Sequence, residues 1–514
     1  MADLTHLRCV PTGLRTEFDA ITALDIEDKP LGGGGFGQNY VCLALNGTTP
    51  SLPFVVKVFQ NNGTGSALHG SVTIQKLQER LQREEQRREQ QGEPPLRDVP
   101  ALQALPQFYF EAQLRGQPVS GYGALRLDTA GFVPFDAYTE GDADQAADYL
   151  ALPLETRMQM ACDLAEAVVL MDRIGYVHGD INAQNLFVNV GTGHMALIDF
   201  DSGAVIEQPG DQPDTWGKPG DWIAPEVLAQ LAGCAARIRV DRFSDAWSAG
   251  IGMHYLLFLH HPLVYLTDFG TTTLQRYFAA NLWPQIDAHD PLFHTGNAPV
   301  YQRYRQELHA LPMPVQNAFD VLLNSGTFVP DQRPDGIAWL RSFQLAQTPP
   351  AIAGFAADRT LVPVGGPITL TWQAENASTV WLSGFGDVTG QNQLRLTVHR
   401  NSVFVLTAVS PFGQVSAQSP LIRVVTGPVP PTLRVPAIPA PLRNLAQVPG
   451  KACLVPRGRI LSQPTLALPA LRPDSLLPTL HALSARLFSS LSHFREGRLL
   501  SFMRCPARWR NGHP

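Results

Sequence analysis

The chain has 514 residues, more than one hydrophobic core organises, so two or three domains are expected. Its composition, 44% hydrophobic and 16% charged, is that of a globular protein, and a formal net charge of -6 excludes a whole-molecule field directed at nucleic acid or an anionic membrane. No run reaches the ~18 apolar residues that span a bilayer, and Met1 to Thr5 lacks the basic and apolar regions of a signal peptide, so a soluble protein is expected.

Residues 1 to about 125 read as strands with one long polar helix inserted. The run Leu31-Gly32-Gly33-Gly34-Gly35-Phe36-Gly37-Gln38-Asn39-Tyr40 carries a GxGxxG pattern on Gly32, Gly34 and Gly37, and glycines let a backbone approach phosphates and aim N–H groups at them. A dinucleotide fold needs a helix directly after such glycines, whereas a strand follows here. The next strand, Phe54 to Phe59, holds Lys57 inside an apolar run. A buried ammonium is costly without an anionic partner, and phosphate oxygens plus a helix carboxylate would serve. The predicted helix over 71–91 supplies the acids. At 100° per residue Ile74, Leu77 and Leu81 define its apolar face, and Glu84 or Glu85 flanks the continuation of that face within about 55°.

From about 126 the pattern turns mainly helical. A buried helix is predicted over 155–174, then short strands over 186–189 and 195–199. The run Tyr176-Val-His178-Gly-Asp180-Ile-Asn-Ala-Gln-Asn185 sets an aspartate and an asparagine five residues apart after that helix. An aspartate such as Asp180 there can accept the proton of an attacking hydroxyl, and an amide oxygen such as that of Asn185 can ligate Mg2+. Asp199, at the end of the next strand, would hold the metal that bridges the phosphates.

Beyond Pro349 short alternating segments at 8 to 14 residue spacing predict an antiparallel sandwich over 350–427. Trp372 and Trp381 read as core residues in it. The remainder, 428–514, is rich in proline and leucine and carries twelve Arg and Lys against Asp474 and Glu496. It reads as a largely disordered tail with one amphipathic helix over 479–491. The six cysteines, Cys9, Cys42, Cys162, Cys234, Cys453 and Cys505, lack CxxC spacing, which suggests reduced thiols and neither a zinc cage nor a disulfide framework.

Taken together, Gly32, Gly34, Gly37, Lys57, His178 to Asp180, Asn185 and Asp199 resemble the glycine loop, strand lysine, catalytic loop and DFG element of protein kinases. Aminoglycoside and choline kinases share the HGD, Asn and IDF elements. Three later segments favour the protein-kinase branch: Ala224-Pro225-Glu226 resembles the APE element, Asp241 to Gly250 the DxWSxG helix, and Arg333 the arginine that pairs with the APE glutamate. The 350–427 stretch resembles small immunoglobulin-like modules of bacterial proteins.

The resemblance implies an α+β, bilobal fold, with a β-rich N-lobe over 1–125 and a helical C-lobe over 126–346, followed by the immunoglobulin-like sandwich and the tail. It implies a eukaryotic-like, bacterial-type Ser/Thr kinase using ATP with Mg2+ or Mn2+, acting in the cytoplasm on a protein substrate. Within it Lys57 orients the nucleotide phosphates and pairs with Glu84 or Glu85, Asp180 is catalytic, and Asn185 with Asp199 holds the metal. Glu226 and Arg333 form a structural ion pair, and Asp245 holds the catalytic-loop backbone. A pseudokinase scaffold and a small-molecule kinase are the alternatives. A partner for the sandwich or the tail is expected, and no specific nucleic acid. The chain departs from the family's pattern at Gly179, where an arginine is usual, at Asn182 in place of a lysine, at Asn39 in the glycine loop and at Asp201 in place of the DFG glycine. Thr215 is the sole hydroxyl residue of the segment from Ala204 to Ile223.

Overall fold

The computed structural model describes residues 2–33, 37–59, 66–208, 211, 220–287, 289–293, 298–410 and 413–426. Gly34, Thr215 and the tail with its expected helix lie outside these residues.

The first strands are β1 (Ala2–Pro11), β2 (Leu24–Ile26), β3 (Gly32–Gly33), β4 (Gly37–Leu45) and β5 (Phe54–Phe59); helix α1 (Ser66–Gln91) and strands β6 (Phe108–Leu114) and β7 (Gln117–Leu125) follow. They form one sheet in the order β2-β1-β6-β7-β5-β4-β3. Its two faces bury different clusters, as period-two alternation requires. Ile26, Phe54, Val56, Phe108 and Phe110 pack on one side with Phe18, whose ring centroid lies 5.3 Å from that of Phe54. On the other side, Phe59 and Tyr122 meet Ile74, Leu77 and Leu81 of α1, all three fully buried. The Gly121-Tyr122-Gly123 run in β7 is what admits the aromatic rings. A Cβ on Gly123 would lie 2.2 Å from the Phe108 ring, and one on Gly121 2.0 Å from the Lys57 carbonyl oxygen.

The next elements are β8 (Val133–Pro134), α2 (Asp136–Thr139), α3 (Ala143–Leu150), α4 (Leu154–Ile174), β9 (Tyr176–Val177), β10 (Leu186–Asn189), β11 (His194–Leu197) and β12 (Ala204–Val205). Then come α5 (Pro225–Ala232), α6 (Arg242–Phe258), α7 (Thr271–Ala280), α8 (Ala298–Ala310), α9 (Met313–Leu323), α10 (Ser325–Phe328) and α11 (Gly336–Gln347). A helix apolar on all sides must be a core helix, and α6 is buried from Ser244 to Phe258. Small residues let its neighbours approach: a Cβ on Gly250 would meet Leu322 at 2.4 Å, and one on Gly252 would meet Trp222 at 2.7 Å. Among the described residues no helix is long and apolar enough to cross a membrane.

Residues 351–425 form a separate β unit: β13 (Ala351–Ala357), β14 (Leu361–Pro363), β15 (Gly366–Glu375), β16 (Thr379–Leu382), β17 (Gly386–Asp387), β18 (Gln393–Val398), β19 (Val405–Ser410), β20 (Gly413–Gln418) and β21 (Arg423–Val425). Its sheets run β13-β15-β18 and β17-β16-β19-β20, with a parallel β14–β21 pair. Ile368, Leu370, Trp372, Leu382, Leu396 and Leu406 fill its own core. Trp372 is buried there, but Trp381 is 51% exposed, since β16 turns Val380 and Leu382 inward and leaves the residue between them outside. Cys9, Cys42 and Cys162 are free thiols.

Candidate active site

The site lies where β5 of the sheet faces the loops that follow β9 and β11. The β10–β11 hairpin, in register Leu186 with Leu197, carries Asn185 and Asp199 just beyond its ends. A hydrogen bond from the Ile198 N–H to the Asn185 carbonyl, 3.0 Å, joins those ends. His178 ties in the third segment, one ring nitrogen 3.0 Å from the Ile198 carbonyl and the other accepting from the Asp180 N–H at 3.3 Å. The first contact requires an N–H at Nε2 and the second a lone pair at Nδ1, so the ring is the neutral Nε2–H tautomer. Burial, which lowers the pKa of this imidazole, agrees.

Backbone geometry explains several residue choices. Gly179 has φ +71° and its N–H donates to Asp245 at 2.9 Å; the His178 N–H donates to the other oxygen of Asp245 at 2.6 Å. Glycine takes that left-handed conformation without the penalty a side chain brings. Asp245 is buried, and that burial, opposed by the two N–H groups, pushes its carboxyl up to about 7. Asp199 has φ +70° although it is not glycine, a strained conformation of the kind concentrated at functional sites.

Asp180 is held from both sides. The Asn182 amide donates to one carboxylate oxygen at 2.8 Å, and the Asn185 amide to the other at 3.1 Å and to the Asp180 carbonyl at 2.8 Å. The Asn182 side-chain oxygen also caps the short 3-10 turn at 183–185 through the N–H groups of Gln184 and Asn185. Burial pushes the Asp180 carboxyl up to about 6, the charge of Asp199 adds to the rise, and the two amides oppose it.

Lys57, 6% exposed, pairs with Asp199 and with Asp201, the latter at 2.7 Å. Burial pulls its pKa down, but the charges of Asp201 and Asp199 outweigh that and leave it above the ordinary value. The Tyr122 hydroxyl donates to the same Asp201 oxygen at 3.1 Å. Lys57 lies opposite Asn39 on β4 and opposite Tyr122 on β7. Burial would raise the Asp199 carboxyl, yet Lys57 holds it low; Asp201 is pushed up, by burial first and by the Asp199 charge.

Gly32 pairs with Asn39 across the β3–β4 turn, and Gly37 stands where a Cβ would come within 2.5 Å of the Val58 carbonyl. Glu226 and Arg333 meet in a two-point ion pair at 2.8 and 2.6 Å, and Arg333 also donates to the carbonyls of Gly326 and Phe243.

Neither α1 glutamate reaches Lys57, which corrects the expected pairing. Glu84 binds Arg87, Arg88 and Arg173, and Glu85 accepts the Leu96 N–H at 2.8 Å. The reason is axial. On α1 the side chains that meet the site segment include His69 and Thr73, each 3.0 Å from the Gly203 carbonyl. Glu84 lies eleven residues after Thr73, nearly the same direction around the helix but about 16 Å further along it. The sequence reading also gave Asp201 no partner and left Tyr122 out. A signal for Asp201 existed, since Lys57 needed a buried anion and a second acid follows Asp199 by two residues.

A divalent ion fits this donor set. Among the described residues no cluster of three or more His, Cys, Asp or Glu side chains forms a closed cage. Asp199 and the Asn185 amide oxygen offer instead the few hard oxygen ligands that Mg2+ accepts while keeping phosphate and water in its remaining positions.

Residues 135–289 match the protein kinase domain family. A stretch of 100 residues is 35% identical to the Caenorhabditis elegans serine/threonine-protein kinase mrck-1, covering 18% of this chain and 6% of that protein. Over 113 residues the chain is 30% identical to the human serine/threonine-protein kinase MRCK gamma, covering 22% of this chain and 7% of that protein. The chain therefore spans only a small part of the length of the curated relatives it matches. A match to that family implies a two-lobed fold, and the chain has the mixed strand and helix content of such a fold. On these grounds residues 135–289 are similar to protein kinase domains.

Proposed function

We propose that the chain is an ATP- and Mg2+-dependent Ser/Thr kinase, acting in the cytoplasm, that moves the γ-phosphoryl group of ATP to a protein hydroxyl. The observation that supports this most is Asp180, its carboxylate fixed by two amides beside Asn185, Asp199 and Lys57. Lys57 binds the α- and β-phosphates of the nucleotide. The glycine turn, Gly32, Gly34 and Gly37, covers those phosphates. Asp180 orients the acceptor hydroxyl and takes its proton as the bond to phosphorus forms and the bond to ADP breaks. Asn185 and Asp199 would hold Mg2+, which would supply positive charge against the phosphate oxygens. Asp245 keeps the catalytic-loop backbone in place, and the Glu226–Arg333 pair fixes α5 to the end of the helical half. Within this reading 1–125 and 126–346 are the two kinase lobes, and the 350–427 unit is an immunoglobulin-like module that recruits a partner.

The test supplies γ-labelled ATP and Mg2+ with protein acceptors in one mixture and aminoglycosides and choline in another. Label on Ser or Thr of a protein is the expected result. Label on the small molecules would replace this reading with a small-molecule kinase. ATP binding without any label would replace it with a nucleotide-binding scaffold.

A further inference from the structure

The structure assigns to Asp201 the role of fixed counter-anion for Lys57, so that the lysine is aligned by the segment after β11 and not by a carboxylate on α1. This rests on the nucleotide site proposed above and adds a positioning residue to it. Three observations carry it. First, Asp201 is fully enclosed and one of its oxygens accepts from both Lys57 at 2.7 Å and the Tyr122 hydroxyl at 3.1 Å, which fixes that oxygen from the sheet side. Second, among the described residues α1 brings no carboxylate to Lys57: on that side of the helix His69 meets the Gly203 carbonyl and Lys76 pairs with Glu207. Thr73 donates to the Gly203 carbonyl, Ile74 and Leu77 are fully buried among apolar neighbours, and Glu84 is committed to three arginines. Third, the two acids that Lys57 touches differ in access, Asp199 being 28% exposed and Asp201 fully buried.

That difference divides their tasks. Asp199 is open to the space where nucleotide and metal would sit, while Asp201 faces inward. When Asp199 is committed elsewhere, Lys57 still has one anion beside it, so the buried ammonium never stands unpaired. Asp201 acts on the nucleotide only through Lys57. The consequence for the fold is that α1 shifts without dragging the lysine, because no α1 side chain among the described residues grips it.

The experiment measures the affinity of the full chain for ATP, ADP and adenosine, using a fluorescent ATP analogue as the displaced probe, in the parent and in Asp201→Asn, Lys57→Met, the double variant and Glu85→Gln. Asparagine matches aspartate in size, and Glu85→Gln keeps an acceptor for the Leu96 N–H. Asp201→Asn is expected to weaken ATP and ADP about tenfold, the size of one charge-assisted hydrogen bond, while adenosine binds as in the parent. The double variant is expected to lose no more than Lys57→Met alone, and Glu85→Gln to lose nothing. Parental ATP affinity in Asp201→Asn would overturn the assignment, and so would an equal loss of adenosine, which would mark a merely structural residue. These outcomes need no phosphoryl transfer, so they are separable from the proposed function, which fails instead if the parent does not bind ATP.

Discussion

Asp180 has each carboxylate oxygen occupied by an amide hydrogen, from Asn182 on one side and Asn185 on the other. An acid so held has one orientation to offer a substrate hydroxyl. Asp180→Asn is expected to lower kcat by about 10²- to 10⁴-fold, the range of a lost general base, with ATP affinity unchanged. Single-turnover transfer and nucleotide titration measure the two parts separately. Gly179, at φ +71°, makes a second prediction. Gly179→Ala is expected to cost about 1–2 kcal/mol in urea denaturation, because a Cβ is strained in that conformation wherever the surrounding space allows it. Most of this site was legible from residue types, since a lysine in an apolar strand and an Asp and Asn at fixed spacing are each unusual on their own. What stayed hidden is how the charges pair. Lys57 meets two anions from one loop, Asp199 and Asp201, and residue types alone did not say that both would reach it.

At the scale of the element, α1 shows which part of a helix a pattern discloses. The 3.6-residue period placed Ile74, Leu77 and Leu81 on one face, and all three are buried. The same projection could not say how far along the axis the site would fall, and Glu84 lies three turns beyond it. Glu84 instead anchors an ion cluster in which Arg87 bridges to Glu93 and Arg173 reaches over from α4. Burial raises the Glu84 carboxyl, but hydrogen bonds from Arg87 and Arg173 outweigh it and bring it down to about 2, below its ordinary 4.5. A carboxyl whose folded value is depressed contributes stability that is complete above the ordinary value and is lost as pH falls toward the folded one. Thermal stability is therefore expected to decline between about pH 4.5 and pH 2, and Glu84→Gln to flatten that part of the profile. A Glu84→Gln variant with an unchanged slope would contradict this. The ion pair at the other end behaves differently. Arg333 has no exposed side-chain surface and stacks 5.2 Å from the Trp247 ring, so Glu226→Ala leaves a cation without its partner in the interior. A loss of about 3 kcal/mol in chemical denaturation is expected.

At the scale of the whole molecule, the change of period near residue 350, from helical spacing to alternation, marks a real change of architecture. Residues 351–425 close a core of their own around Ile368, Leu370, Trp372 and Leu406, none of which belongs to the large cluster of the first 347 residues. A chain ending at Thr348 is accordingly expected to keep its cooperative unfolding transition and its nucleotide affinity, and calorimetry of the shortened chain checks both. The alternation that revealed this unit did not decide which tryptophan faces inward, because Trp372 and Trp381 both sit in apolar runs; the inward choice is made by sheet pairing. The two-lobed arrangement has a functional sense as well. Lys57 comes from the sheet, and Asp180, Asn185 and Asp199 come from the helical half, so the site exists only where the halves meet.

The measurement closest to the central claim is transfer of label from γ-labelled ATP in the presence of Mg2+, run side by side for the parent, Asp180→Asn and Asp199→Asn. The parent is expected to transfer label to protein. Asp180→Asn is expected to bind ATP and transfer about 10²-fold less or worse, and Asp199→Asn to lose the Mg2+ dependence of nucleotide binding along with transfer. Undiminished transfer by either variant would contradict a site in which those two carboxylates, with Lys57 and Asn185, act on one nucleotide.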